Sequence, residues 1–411
     1  MKSPVPGYLS RVLASSSASS GGAVADYIPE LAGADPDHAA IALATVDGTV
    51  YAQGDADLAF SIQSMSKPFT YALALSDRGI DGVGERVGVE PSGEAFNEIS
   101  LEPDTGRPRN PMINAGAIAT HGLVSASSPE ERLERVVSWY SRFAGRRLDI
   151  DEQVARSELG EGHRNLAFGH LLRSFGIIDG DPVPVVEGYI RQCAVSVTVE
   201  DLALMAATLA NGGVHPRSGE RLLDPKLVRH VLSVMMSCGM YDAAGDWLTT
   251  VGIPSKSGVS GGIVGVLPGQ VGLAVFSPRL DRHGNSVRGV TMMERLSEDM
   301  NLHLMDAARP ARSAIRDVRR VEIHGEETTA YVLHGDLVFS SVESLIRRLV
   351  EDPPTTRCVV FDVDRVDEVD DVARRMAVEA ARSLIDDGHE LALADRNGVL
   401  GESGLPASTA D

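Results

Sequence analysis

Residues 39–53 (AAIALATVDGTVYAQ) and 261–278 (GGIVGVLPGQVGLAVFSP) are apolar, each broken by one turn signal, and a long helical text separates them. In the first, Asp47 and Gly48 stand between two apolar runs, the short-range signature of a hairpin. In the second, a Pro-Gly pair does the same. The text from about 130 to 245 reads differently. PEERLERVVSWYSRFA, RNLAFGHLLRSFG and VEDLALMAATLANGG carry apolar residues at helical spacing, with glycine at or near each stop. Residues 64–79 read as a helix opening at a serine, and 287–305 as a further helix. The order predicts an α+β domain: an antiparallel sheet carrying helices, with a separate helical subdomain.

That first domain is expected over residues 1–306. Residues 307–320 (AARPARSAIRDVRR) are basic, lack an apolar period and read as a linker. Beyond it, VEIHGEETTAYVLHGDLVF predicts two strands, SSVESLIRRLVED a helix, CVVFDV a buried strand, DDVARRMAVEAARSLIDDG a helix and ELALAD a strand. This is a small α/β domain over 321–403 with β-α-β-α-β alternation. Residues 404–411 read as a flexible tail.

Charge and cysteine usage narrow the function. With 38 Lys and Arg against 58 Asp and Glu, the formal charge is −20, which repels phosphate backbones and argues against nucleic acid as a partner. Cys193, Cys238 and Cys358 are far apart and form no C-x-x-C pair, so neither a disulfide scaffold nor a zinc site is expected. The first twenty residues lack the apolar centre of a signal peptide, and no run of about 18 apolar residues occurs. The expected location is the cytoplasm, away from membranes.

The chemistry concentrates in FSIQSMSK, residues 60–67. Ser64 and Lys67 are three apart at a helix start, which puts them on one face. A serine hydroxyl needs a base to become a nucleophile, and a lysine stripped of water gives up its proton more easily. The helix N-terminus favours developing negative charge. Later, Lys256-Ser257-Gly258-Val259-Ser260-Gly261-Gly262 resembles the K-T-G strand of serine β-lactamases and penicillin-binding proteins. In that geometry the backbone N–H groups of Ser64 and Val259 form an oxyanion hole. Three other groups stand out: Asn110 to Ala117, a turn before a helix; Glu158 and Asn165, which could share a helix face despite Gly160 and Gly162; and Tyr27, Tyr189 and Tyr241. Each also has a plain structural reading as turn, helix end or core.

DYIPEL (26–31), FSIQSMSK (60–67), NPMINAGAI (110–118), SE-x6-N (157–165), Tyr189, Tyr241 and KSGVSGGI (256–263) together resemble the serine-dependent glutaminase family. The resemblance covers roughly residues 5–305 and implies a β-lactamase-like fold. It implies Ser64 as the acylated nucleophile, Lys67 as its base and Tyr241 as an aid to proton transfer beside them. It places Tyr27 near the amide, Asn114 and Tyr189 on the substrate α-carboxylate, Glu158 and Asn165 on the α-ammonium, and Val259 at the oxyanion. No metal or organic cofactor is implied, and the 11 histidines show no H-E-x-x-H cluster. A homodimer or homotetramer is the implied assembly.

The segment 320–402 is similar to STAS domains, on VVFDVDRVDEVDDVARRM and its strand–helix order. Where such switches carry Ser or Thr after an Asp, this chain has Asp370 and Asp371, so the acceptor hydroxyl is missing and Asp371 reads as a fixed helix cap. The expected role is assembly or regulation, with a protein partner as one option. Two other readings stay open: a penicillin-interacting hydrolase, sharing the Ser, Lys and K-[ST]-G elements, and a non-catalytic scaffold.

Overall fold

In the computed structural model, which describes residues 5–93, 98–305, 314–323, 325–337, 339–369 and 371–400, the first apolar segment forms a hairpin. Its strands are β1 (Ala40–Thr45) and β2 (Val50–Gly54), and Gly48 closes the turn with φ 90°. A short antiparallel pair, β3 (Phe60–Ser61) and β4 (Ser196–Val197), follows. The second apolar segment gives β6 (Gly262–Leu267) and β7 (Val271–Phe276), preceded by β5 (Ser255–Ser257). The strands assemble in the order β2-β1-β7-β6-β5, every neighbour antiparallel.

Both faces of this sheet are covered, and strand alternation decides what goes where. Ala40, Ala42, Ala44, Val264, Val266, Ala274 and Phe276 face one core, while Ile41, Leu43, Ile263, Leu273 and Val275 face the other. Small residues on the first face admit the helix Val199–Ala210, which is buried at every position except Glu200. Gly272 is the tightest point: a Cβ there would lie 2.2 Å from Ala207 N and 2.3 Å from Ala203 O. Thr198 and Asp201 start this helix with a reciprocal capping box. The second face takes Leu9 and Val12 of the helix Val5–Ser16, and Met292, Met293 and Leu296 of the helix Val287–Met300.

The helical insert appears as read. Pro129–Ala144 runs from a Ser128 cap to Gly145, whose φ is 68°, and His163–Ser174 lies where the text places it. Near the candidate serine the reading needs adjustment. A 3₁₀ turn, Gln63–Ser66, precedes the helix Lys67–Gly84, and Gly79, with φ 72°, interrupts that helix instead of ending it.

The chain divides into two units, Met1–Asp306 and Ala307–Asp411. The second carries β8 (Ile315–Ile323), β9 (Glu326–Leu337), β10 (Cys358–Val369) and β11 (Glu390–Ala394) in the order β11-β10-β9-β8. Pairs β9–β10 and β10–β11 are parallel, β8–β9 antiparallel. Helices Phe339–Glu351 and Asp371–Asp386 connect the parallel strands, and Leu333, Leu345, Val359, Phe361, Leu384 and Leu391 fill the core. The linker expected over 307–320 is too long: β8 starts at Ile315. It is an edge strand with Arg316 to Arg320 exposed, so its text shows charge and no apolar alternation. The rest of that linker up to Ser313, the tail 404–411 and Asp370 lie outside the described residues, as does the side chain of Asp371. Among the described residues no helix is long and apolar enough to cross a membrane.

Candidate active site

The chain leaves β3 and turns sharply at Gln63, which takes φ 49°, a left-handed conformation that non-glycine residues seldom adopt. The 3₁₀ turn that follows has three residues per turn, so positions three apart eclipse. The Lys67 amide donates to the Ser64 carbonyl across this turn, which sets Ser64 and Lys67 on the same face. Both are buried, at 7 % and 1 % exposure.

Lys67 Nζ donates to Asn114 Oδ1 at 2.7 Å and to the Met112 carbonyl at 3.2 Å. Its hydrogen-bond partners are neutral oxygens, and burial pulls its pKa down to about 8. Ser64 is hydrogen-bonded to Tyr241, whose hydroxyl also donates to the Ser257 carbonyl at 3.1 Å. Tyr241 is held at φ 58° in a 3₁₀ turn, Tyr241–Ala243, and burial pushes its phenol up to about 12. Lys256 is fully buried, donates to the same Ser257 carbonyl at 2.8 Å, and sits 3.9 Å from the Tyr241 ring centroid. Burial, and then the charge of Lys67, hold Lys256 well below the ordinary lysine value.

Asn114 opens the helix Asn114–Leu123 and links the two halves of the site. Its Oδ1 accepts from Tyr189 at 3.2 Å as well as from Lys67, and its Nδ2 donates to Asn165 Oδ1 at 3.3 Å. Glu158 Oε1 accepts from Tyr27 at 2.7 Å and from Gln63 Nε2 at 3.0 Å. Burial raises the Glu158 carboxyl above its usual range, and burial and the Glu158 charge push the Tyr27 phenol upward. Tyr27 as a residue is still 44 % exposed, while its hydroxyl is bonded to Glu158. Val259 stands in the loop between β5 and β6, half-buried against the small apolar cluster that contains Ile28, Leu31 and Val154. Gly258 N–H to Gly262 O and Gly261 N–H to Gly258 O, both 2.9 Å, brace that loop.

Ser64 with Tyr241, Lys67 with Asn114, Tyr189 and Asn165, and Tyr27 with Glu158 are thus joined by direct hydrogen bonds. One expectation needs correcting. Glu158 and Asn165 do not share a helix face: Glu158 lies in the last turn of the helix Glu152–Gly160 and Asn165 in the first turn of His163–Ser174. The break falls between Gly160 and Gly162, where low helix propensity lets the chain change direction. Two residues of the site had no assigned role from sequence. Gln63 ties the serine turn to Glu158, and its only local signal is its place just before Ser64. Lys256 was visible as the first residue of the K-S-G segment, but its complete burial was not.

A metal-capable cluster among the described residues lies elsewhere, at Glu326, Cys358 and Glu390 on neighbouring strands of the second unit. Cys358 Sγ donates to Glu326 at 3.0 Å, and these carboxylates push the thiol up to about 11.

The first unit therefore brings together a buried serine, an amine of lowered pKa in the same turn, a half-buried carboxylate and several neutral amide and phenol groups. The family model described as Glutaminase matches residues 22–305. The glutaminase of Corynebacterium efficiens is 49% identical over 399 residues, spanning 97% of this chain and 93% of that protein. A solved structure of a protein called Mglu superposes with TM-score 0.88 at 49% identity, over 97% of this chain and 100% of that one. Mglu in its glutamate form gives TM-score 0.88 at 45% identity with the same coverage. The expected α+β, β-lactamase-like architecture holds. This chain belongs to the glutaminase family.

Proposed function

We propose that the chain hydrolyses the side-chain amide of L-glutamine to L-glutamate and ammonia through a γ-glutamyl ester of Ser64. The observation that carries this is the buried Lys67, with its pKa near 8, on the same face of one turn as Ser64. Neutral Lys67 takes the Ser64 proton while the oxygen attacks the amide carbon. The amides of Ser64 and Val259 receive the oxyanion. Tyr241, bonded to Ser64, passes its proton to the departing nitrogen, which leaves as ammonia, and regains a proton from the Lys67 ammonium, which restores the neutral amine. Water, deprotonated by the restored neutral amine, then cleaves the ester, and Lys67 returns that proton to the Ser64 oxygen as glutamate leaves. Asn114 and Tyr189 hold the α-carboxylate, Glu158 and Asn165 the α-ammonium, and Tyr27 lines the pocket near the amide.

A zwitterion calls for such a division: one carboxylate for its cation and neutral donors for its anion. Ammonia release from glutamine and from asparagine by the purified protein tests the reading. Glutamine is expected to be the better substrate by far. Turnover of the β-lactam nitrocefin with none of glutamine would instead favour a penicillin-interacting hydrolase.

For the second unit we infer STAS-like regulation or assembly, in a cytoplasmic homodimer or homotetramer, with this unit as the surface for a protein partner. Its mixed sheet with alternating helices is compatible with that family, and its core is its own. Deleting residues 310–411 should leave glutamine turnover in place. A folded remainder with no activity would refute this division of labour.

A further inference from the structure

Two side chains of the strip 27–30 reach the helix that carries Glu158. Tyr27 donates to Glu158 itself. Glu30, on the short helix Pro29–Ala32, accepts from Ser157 Oγ at 2.9 Å through its Oε1. Its second oxygen, Oε2, is shut off from solvent and has no hydrogen-bond partner among the described residues. Buried carboxylate oxygens are normally satisfied, because stripping water from a charge is costly. Glu30 also acts on its neighbour. After burial, its charge adds to the upward push on the Glu158 carboxyl, against the bonds from Tyr27 and Gln63. Both donors to Glu158 are uncharged groups and share one oxygen, Oε1. Two carboxylates thus act on one another while their hydrogen-bond donors, Tyr27 and Gln63 on Glu158 and Ser157 on Glu30, are uncharged, and such a pair gains from a cation beside them.

We propose that Glu30 is a specificity-determining residue, a second carboxylate whose charge makes this pocket select substrates that bear an α-ammonium. This rests on the reading of Glu158 as the ammonium site. Glu30 need not touch the substrate, since its charge already acts on Glu158. The arriving ammonium relieves the repulsion between the carboxylates. A substrate without that charge gains nothing from Glu30.

The test compares L-glutamine with glutaramate, the same amide chain lacking the α-amino group, in the full-length protein. In Glu30→Gln, which keeps shape and the acceptor for Ser157, kcat/KM for glutamine should fall about five- to twentyfold, mostly in KM, as expected for one lost charge at partly screened range. Glutaramate should change by less than about twofold, so the ratio of the two falls. Glu30→Leu, a different shape without the charge, must move the ratio the same way. Ser157→Ala keeps the charge and drops the hydrogen bond, and should keep the wild-type ratio. An unchanged ratio in both Glu30 variants, or an equal loss for both substrates, overturns the proposal. Glu158→Gln separates the two levels. If it lowers the ratio and the Glu30 variants do not, Glu30 alone is excluded. If it keeps the ratio, the ammonium reading of Glu158 fails, and Glu30 with it.

Discussion

Ser64→Ala should lower glutamine turnover by about 10⁴-fold or more while leaving the melting temperature within about 3 °C. The size of the loss follows from covalent catalysis: without the hydroxyl no ester forms, and a well-oriented pocket alone recovers only a small part of the rate. The fold should hardly notice. The substitution removes one oxygen from a 3₁₀ turn whose backbone bonds remain, and the lost bond to Tyr241 is of the kind that contributes about 1 kcal/mol. Tyr241 keeps its bond to the Ser257 carbonyl. Ammonia release and calorimetry on the same sample decide it. Retention of more than about one per cent of wild-type turnover would remove Ser64 from the chemistry.

Lys67→Met should be equally inactive yet more stable than the wild type. In the folded protein Lys67 titrates near 8, below its ordinary 10.5. At pH 7 the folded state carries a charge that burial disfavours, a burden of about 3 kcal/mol that the unfolded chain does not bear. A methionine of similar length avoids it. Losing the bonds to Asn114 and the Met112 carbonyl offsets part of the gain, so a net stabilisation of about 1–2 kcal/mol is expected. The sign is checkable by pH. Between the folded and unfolded values the unfolded chain binds more protons, so wild-type stability should rise from about pH 8 towards 10.5. That increment should be absent in Lys67→Met. The rate carries the same signature, since only the neutral amine accepts a proton. Wild-type kcat/KM should climb through pH 7 and level off above about 8. A flat profile across that range, or a destabilised methionine variant, would show that Lys67 is not a desolvated base.

What could be read from the sequence was local. The β1–β2 hairpin announced itself through Asp47 and Gly48, and the helices Pro129–Ala144 and Val199–Ala210 through their spacing and caps. Ser64 and Lys67 were legible because both lie in one turn. Residues that matter through distant partners were legible only by resemblance. Tyr27 meets Glu158, and Asn114 meets both Lys67 and Tyr189, across long stretches of chain. Gln63 escaped notice because its part depends on a positive φ that no residue preference announces. Strand β8 was hidden for the opposite reason: it borrows its order from β9 and keeps its own charged side chains in water.

The interior position of β1 also bears on how the protein is made. Its far neighbour is β7, so Ala40 pairs with Phe276, and one flank of the opening hairpin stays bare until the ribosome has added on the order of 200 further residues. At ordinary synthesis speeds that wait lasts about 10 to 40 s. During it, an apolar edge of the nascent chain is available to neighbouring nascent chains. The first unit closes only late in translation, and expression should improve when elongation is slowed less over residues 54–262 than elsewhere, or when chaperones are supplied to cover that edge.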